Sequence, residues 1–120
     1  MAAELTISET SKQYDVSYRT LRYYEDEGLI SPRRESGQRL YDDEVRKRIK
    51  MIVLGRKLGF SVSEIKETLK NANVGNSIVF EQLLSNQQIL EQIEYLEQKR
   101  EASDRAIARL RAHLSRRQEG

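Results

Sequence analysis

Ile89, Ile93, Leu96, Arg100, Ser103, Ile107, Leu110 and Leu114 recur at alternating four- and three-residue steps. That spacing makes the seam of a coiled coil, where two rows of side chains face a partner helix. Ile93, Arg100, Ile107 and Leu114 form one row, and Ile89, Leu96, Ser103 and Leu110 the other. Over residues 89–114 such a helix is roughly 39 Å long at about 1.5 Å per residue. A lone helix this long and this charged has nowhere to bury its stripe. Self-association through the seam resolves this; folding back onto its own domain is the alternative. Arg100 and Ser103 weaken the middle of the seam and are placed to set register or orientation. We expect the helix to start near Ile78 and run almost to the end. Ile78, Val79, Phe80, Leu83 and Leu84, ahead of the seam, are placed to pack on the head of another subunit.

The second organising stretch is residues 17–28, S-Y-R-T-L-R-Y-Y-E-D-E-G. Ser17 is a helix N-cap, and Gly28 suits the position just past a helix end. Between them Arg19, Arg22, Tyr23 and Asp26 share one face, Leu21 and Tyr24 take the other, and Glu25 lies on the border. A short helix presenting two arginines and a tyrosine suits a DNA major groove, where arginine pairs bidentately with guanine or clamps a phosphate. A solvated face with Arg22 paired to Asp26 is the other reading. Upstream, Thr6 and Glu9 make a capping box for a helix reaching about Gln13. Tyr14, Asp15 and Val16 then turn tightly, with Asp15 tolerant of a left-handed conformation. Two short helices joined this way read as a helix-turn-helix, with Ile7, Val16, Leu21 and Tyr24 as its small core.

After Pro32 the pattern changes to period two. Ser36-Gly37 supplies the turn of a hairpin wing over residues 33–41. On its return limb Leu40 is expected to tuck inward while Arg39 and Tyr41 reach outward. Arg33 and Arg34 add charge on the first limb, so the wing extends contact onto phosphates or the minor groove. An ordinary solubilising hairpin is the alternative. A third helix follows over residues 42–58, with acids at its start, Arg56 and Lys57 at its end, and Val45, Ile49, Ile52 and Val53 buried. Arg46, Lys47, Arg48 and Lys50 cover the remainder, and most of them are expected to be solvated. Ser61 and Glu64 make a second capping box, stapled by Phe60 and Ile65, and Ile65 and Leu69 bury the fourth helix. Residues 71–77 read as a loop.

Composition sets the exclusions. The 120 residues are 33% charged and 38% apolar, with a net charge of only +2, so no overall field demands a nucleic acid. Without cysteine there is no thiolate zinc site, iron–sulfur cluster or disulfide, and the redox compartment stays open. His113 is the only histidine, which argues against a histidine-rich metal site or a Ser-His-Asp triad. The carboxylates sit at helix ends and on charged faces, so we expect no enzyme, metal or cofactor. The start lacks a signal peptide's apolar core and the longest apolar run is residues 51–54, so a soluble, cytoplasmic protein without membrane contact is expected.

Taken in order, T-I-S-E, V-S-Y-R-T-L-R-Y-Y-E-D-E-G-L-I-S-P-R-R, G-Q-R-L-Y-D-D-E-V and L-G-F-S-V-S-E-I resemble the MerR family of bacterial transcription regulators over about residues 5–70. The resemblance implies a mainly α fold. A winged helix-turn-helix DNA-binding domain would occupy residues 1–72, with a β-hairpin wing and a second, helical wing. A linker would follow at 73–77 and a coiled-coil dimerisation helix at 78–120. It implies a homodimer joined by an antiparallel coiled coil, bound to a pseudo-palindromic promoter and distorting the spacer so that RNA polymerase can engage. Carried over, the DNA contacts fall on Arg19, Arg22 and Tyr23, on Arg39 and Tyr41, and near Arg56, Lys57 and Ser61. Ser17 and Tyr18 at the start of the recognition helix and Arg33 of the wing join them as candidates. Thr10 and Ser11 depart from the family's apolar pattern and are expected to loosen packing beneath the head.

The effector is not legible. The metal- and redox-sensing branches of the family use cysteines that this chain lacks, and the drug-sensing branches carry a large extra domain that is not expected here. The length and L-G-R-K-L-G-F-S are similar to members controlling branched-chain amino-acid and acyl-CoA catabolism. A small effector would bind near residues 78–90, if one binds at all. The competing function is an architectural or adaptor protein that binds DNA with little sequence preference.

Overall fold

A computed structural model describes residues 4–71, 74, 75 and 77–120. It divides into two compact units, Met1–Leu84 and Ser85–Gly120. In the first, strand β1 (Leu5–Thr6) leads into helix α1 (Ile7–Tyr14), followed by α2 (Tyr18–Asp26), strands β2 (Arg33–Glu35) and β3 (Gln38–Tyr41), and helices α3 (Asp43–Lys57) and α4 (Val62–Asn71). A 3₁₀ turn at Phe80–Leu83 closes the unit. The second unit is α5 (Asn86–Glu119).

Local chemistry sets most boundaries. Thr6 and Glu9 form the capping box, with Thr6 N–H donating to Glu9 Oε1 at 2.9 Å and Glu9 N–H to Thr6 Oγ1 at 3.2 Å. Asp15 ends α1 in the left-handed region at φ 53°. Ser17 caps α2 by accepting from Thr20 N–H at 3.1 Å. At the far end Gly28 (φ +77°) donates to Glu25 O and Leu29 donates to Tyr24 O, the paired bonds of a Schellman motif. Leu29 is fully buried there. Ser36 (φ 52°) and Gly37 (φ 77°) are both left-handed, as a two-residue hairpin turn of the twisted type requires. Ser61 and Glu64 exchange backbone and side-chain bonds at 2.9 and 3.1 Å.

The sheet has the order β1-β3-β2, antiparallel throughout. The third strand, β1, has no counterpart in the hairpin expected from sequence. It is only two residues long and doubles as the cap of α1, too short for an alternation signal. The pairing of Leu5 with Tyr41 ties the wing to the first helix.

The core gathers Val16, Leu21, Tyr24, Leu29, Ile30, Tyr41, Val45, Ile49, Met51, Ile52, Phe60, Ile65, Leu69 and Phe80. Thr10 is fully buried, yet it does not loosen the head: its hydroxyl donates to Thr6 O at 2.8 Å, so its polar atom is satisfied within the helix. Two residues of α3 depart from the expected solvated face. Arg46 donates to Tyr41 O at 2.6 Å and Arg48 to Leu29 O at 2.7 Å, so both tie α3 to the segments before it.

The last helix starts later than expected. Phe80 is fully buried in the first unit, its ring 5.4 Å from that of Phe60 at 52°. Gln82 accepts from the N–H groups of Ile78 and Val79, holding the turn. Ser85 then caps α5, with Gln88 completing the box. The first unit therefore extends to Leu84, and residues 78–84 belong to it rather than to the long helix. The expected loop and linker fall partly on residues 72, 73 and 76, outside the described residues. In α5 no residue is buried; Ile93, Leu96, Ile107, Leu110 and Leu114 are 39–70% exposed, and Ile89 is half-buried.

Gly55 lies in close contact with the core. A Cβ there would stand 2.9 Å from Ile65 Cγ1 and 3.2 Å from the Phe80 ring. Alanine would gain about 1 kcal/mol in helix propensity, but overpacking buried neighbours costs about 1–3 kcal/mol. We predict that Gly55→Ala is destabilising by up to about 2 kcal/mol, read from the midpoint of denaturant unfolding at unchanged slope.

Candidate nucleic-acid interface

The candidate site is built outward from the two buried side chains of α2. Leu21 and Tyr24 are 0% and 7% exposed. A helix advances about 100° per residue, so fixing these two fixes the rest. Tyr18 and Tyr23 are left 43% and 46% exposed, with Arg19, Arg22 and Asp26 beside them. Together these five residues line a shallow, open depression. The Tyr23 ring leans on Tyr24, with centroids 6.2 Å apart. Arg19 and Arg22 form no hydrogen bond or ion pair with any described residue, and the expected alternative pair of Arg22 with Asp26 is not formed. Ser17 is exposed, but its hydroxyl oxygen is spent on the cap and its hydrogen on Thr20 Oγ1 at 2.8 Å.

The wing differs from its sequence reading in its facing. Alternation along β3 is present, but the face carrying Arg39 and Tyr41 turns inward. Tyr41 is fully buried and Leu40 only half-buried. Arg39 reaches back to α2, its Nε donating to Glu25 Oε1 at 2.7 Å. Arg34 donates to the other oxygen of Glu25 at 3.2 Å. Periodicity fixes which residues share a face but not which face meets the core. The border carboxylate at position 25 was the available signal, because it gives an inward arginine its partner. Tyr41 thus does not reach outward; its hydroxyl is buried and has no hydrogen-bond partner among the described residues. Arg33 is also held, donating through two nitrogens to both oxygens of Glu4 at 3.1 and 2.7 Å and to Glu35 at 2.8 Å.

Beyond the wing, Arg56 donates to Phe60 O at 2.8 Å and shapes the entry to α4. Lys57 is exposed, and Ser61 is engaged as the cap. Sequence reasoning passed over Lys66 of α4. Its Nζ approaches the left-handed turn at Gly28, within 3.6 Å of where a Cβ would stand. A cation there sits at the negative end of the α2 dipole.

Ionisation follows these contacts. Burial pushes the Glu25 carboxyl up, but hydrogen bonds and charge from Arg39 and Arg34 outweigh it and hold it below the usual value. The bond to Glu25 correspondingly raises Arg39. Hydrogen bonding from Arg33 holds Glu4 down. Burial raises the phenols of Tyr41 and Tyr24.

Known proteins place this arrangement. The model described as "MerR HTH family regulatory protein" matches residues 5–72, and that described as "MerR, DNA binding" matches residues 46–115. The chain belongs to the MerR family. It is 46% identical over 67 residues to the "Heavy metal-dependent transcription regulator 2" of Rhizobium meliloti (strain 1021), covering 54% of this chain and 46% of that protein. The chain thus spans about half the length of the curated relatives it matches. Among solved structures, a MerR family transcriptional regulator from Bacillus cereus superposes with a TM-score of 0.74 at 26% identity, over 93% of this chain and 78% of that one. The N-terminal part of the Bacillus subtilis multidrug transporter activator, MtaN, gives 0.69 at 27% identity, over 92% and 97%. In this MerR member, no cluster of three or more His, Cys, Asp or Glu among the described residues could hold a metal. No helix among them is long and apolar enough to cross a membrane.

The Glu25 contacts carry a pH dependence. A carboxyl whose folded-state value lies below its unfolded one adds stability above that window and loses it as acid reaches the depressed value. The thermal midpoint of the wild type should therefore fall more steeply between about pH 5 and pH 3 than that of Glu25→Gln. Thermal unfolding across that range checks it; parallel slopes would mean that the Arg34 and Arg39 contacts do not shift the carboxyl.

Proposed function

We propose that this MerR member is a homodimeric, sequence-specific DNA-binding regulator of transcription that reads a pseudo-palindromic promoter site. The observation that carries the reading is the outer face of α2, which holds Arg19 and Arg22, without a partner among the described residues, between exposed Tyr18 and Tyr23. A guanidinium left without a carboxylate on a rigid helix is free to meet base edges or phosphates. Arg19, Arg22 and Tyr23 enter the major groove, with Tyr18 and Ser17 at the helix start. Arg33 and Arg39 flank the backbone with their charge engaged by carboxylates of the head, and Arg56, Lys57 and the amide end of α4 at Ser61 make the second wing's phosphate contacts. Tyr41 supports Arg39 from below. Distortion of the spacer DNA then acts on RNA polymerase through the promoter rather than by direct contact. Such a protein works in the cytoplasm.

The exposed seam of α5 supports self-association. Ile89, Ile93, Leu96, Ile107, Leu110 and Leu114 leave a single helix with a long apolar stripe, which an antiparallel second copy buries. Ile107→Asp places a charge in that seam, and the dimer should weaken by at least about tenfold. Sedimentation across a concentration series reads this; an unchanged dimer would remove the seam from the interface.

Arg22 tests the reading head. If it pairs with a base, Arg22→Ala weakens binding to the specific site by about 1–3 kcal/mol and relaxes preference at one position of each half-site. Titrations of matched and substituted duplexes at fixed salt decide it. An equal loss on every duplex would make Arg22 a phosphate contact, and no loss on any would take α2 out of the interface.

A further inference from the structure

The guanidiniums of the head divide into two populations. On α2, Arg19 and Arg22 have no partner among the described residues. On the wing every arginine is engaged: Arg33 with Glu4 and Glu35, and Arg34 and Arg39 with Glu25. Three cations on the sheet thus face three carboxylates. Arg34 and Arg39 lie directly opposite each other across the hairpin, a placement that repels unless an anion bridges it. Glu25 is that anion, and it comes from α2, the helix that carries Arg19 and Arg22.

Phosphate contacts supply most sequence-independent affinity for DNA, and base contacts supply discrimination. A wing with unmasked cations would add the first without the second. We propose that the Glu25 carboxylate masks the charge of Arg34 and Arg39 and so acts as a specificity determinant, lowering affinity for non-specific duplex while leaving the α2 arginines free to read. This rests on the DNA-binding reading above. Glu25 is half-buried against Arg39, with both side chains 22% exposed, so solvent screens this contact less than the open pair of Arg33 with Glu35. Asp26, the remaining acid near Arg39, stays on the outer face and bonds neither wing arginine.

The decisive variant is Glu25→Gln in the full chain, because the amide oxygen remains an acceptor for Arg39 while the charge, and with it the second acceptor that Arg34 uses, is removed. The probe is a short random-sequence duplex, titrated over a salt series beside the selected specific site. Each phosphate contact released adds about 0.9 to the slope of log affinity against log salt. For one contact the variant should bind the random duplex about five- to tenfold more tightly near 0.1 M salt, with a steeper slope and a smaller ratio of specific to non-specific affinity. If Glu25 only braces the wing, the variant binds both duplexes equally or more weakly with no steeper slope, and the inference is overturned while DNA binding stands. A wild type that binds no duplex even at low salt would overturn the DNA reading and the inference together. Glu35→Gln, on the exposed hairpin tip, serves as a second variant. It should move non-specific affinity in the same direction by less, and a drop there would count against masking.

Discussion

Burial of Leu21 and Tyr24 beneath α2 is the constraint on which the rest of the head depends. Because those two side chains are fixed in the core, the helix cannot roll, and Arg19, Arg22 and Tyr23 must point away from it. Everything around the helix holds that orientation. Ser17 pins its start, Gly28 and Leu29 close its end, and Arg48 fastens the exit to α3. The interior of α3, with Gly55 pressed against Ile65 and Phe80, joins α4 and the 3₁₀ turn to the same core. Local capping thus fixes where the helix is, core packing fixes which way it faces, and charge left without a partner fixes what it can touch.

The wing shows how electrostatics can override a hydropathy pattern. A strand that alternates Arg39, Leu40 and Tyr41 offers two facings, and the apolar residue ordinarily chooses the inner one. Here the arginine turns in because Glu25 receives it, and the phenol two residues on is carried into the core by the same register. The cost is a buried hydroxyl at Tyr41 without a partner among the described residues. The gain is a hairpin joined to α2 by an ion pair at 2.7 Å.

Features governed by nearby residues were legible in the sequence. The capping boxes at Thr6 and Ser61, the left-handed Asp15, the Ser36-Gly37 turn and the two faces of α2 all follow from chemistry within one turn of chain. Features set by distant partners were not. The strand at Leu5–Thr6 exists only because β3 lies beside it. Phe80 leaves the long helix for the core because Phe60 and the gap over Gly55 receive it, although Ser85 and Gln88 carried a local start signal. Thr10 breaks the apolar pattern without penalty because Thr6 O accepts its hydroxyl. At the candidate site, position along α2 was enough to place Arg19 and Arg22 on the exposed face; the engaged state of Arg33, Arg34 and Arg39 needed the tertiary fold.

The central claim is that two copies of α2, held by the α5 seam, read defined base pairs. Selection of bound duplexes from a random pool by the purified protein at moderate salt tests it most directly. The account predicts enrichment of a pseudo-palindrome whose half-sites lie on one face of the duplex, spaced by whole helical turns. Recovery of no shared sequence, with binding that disappears uniformly as salt rises, would contradict it and leave an architectural DNA-binding protein.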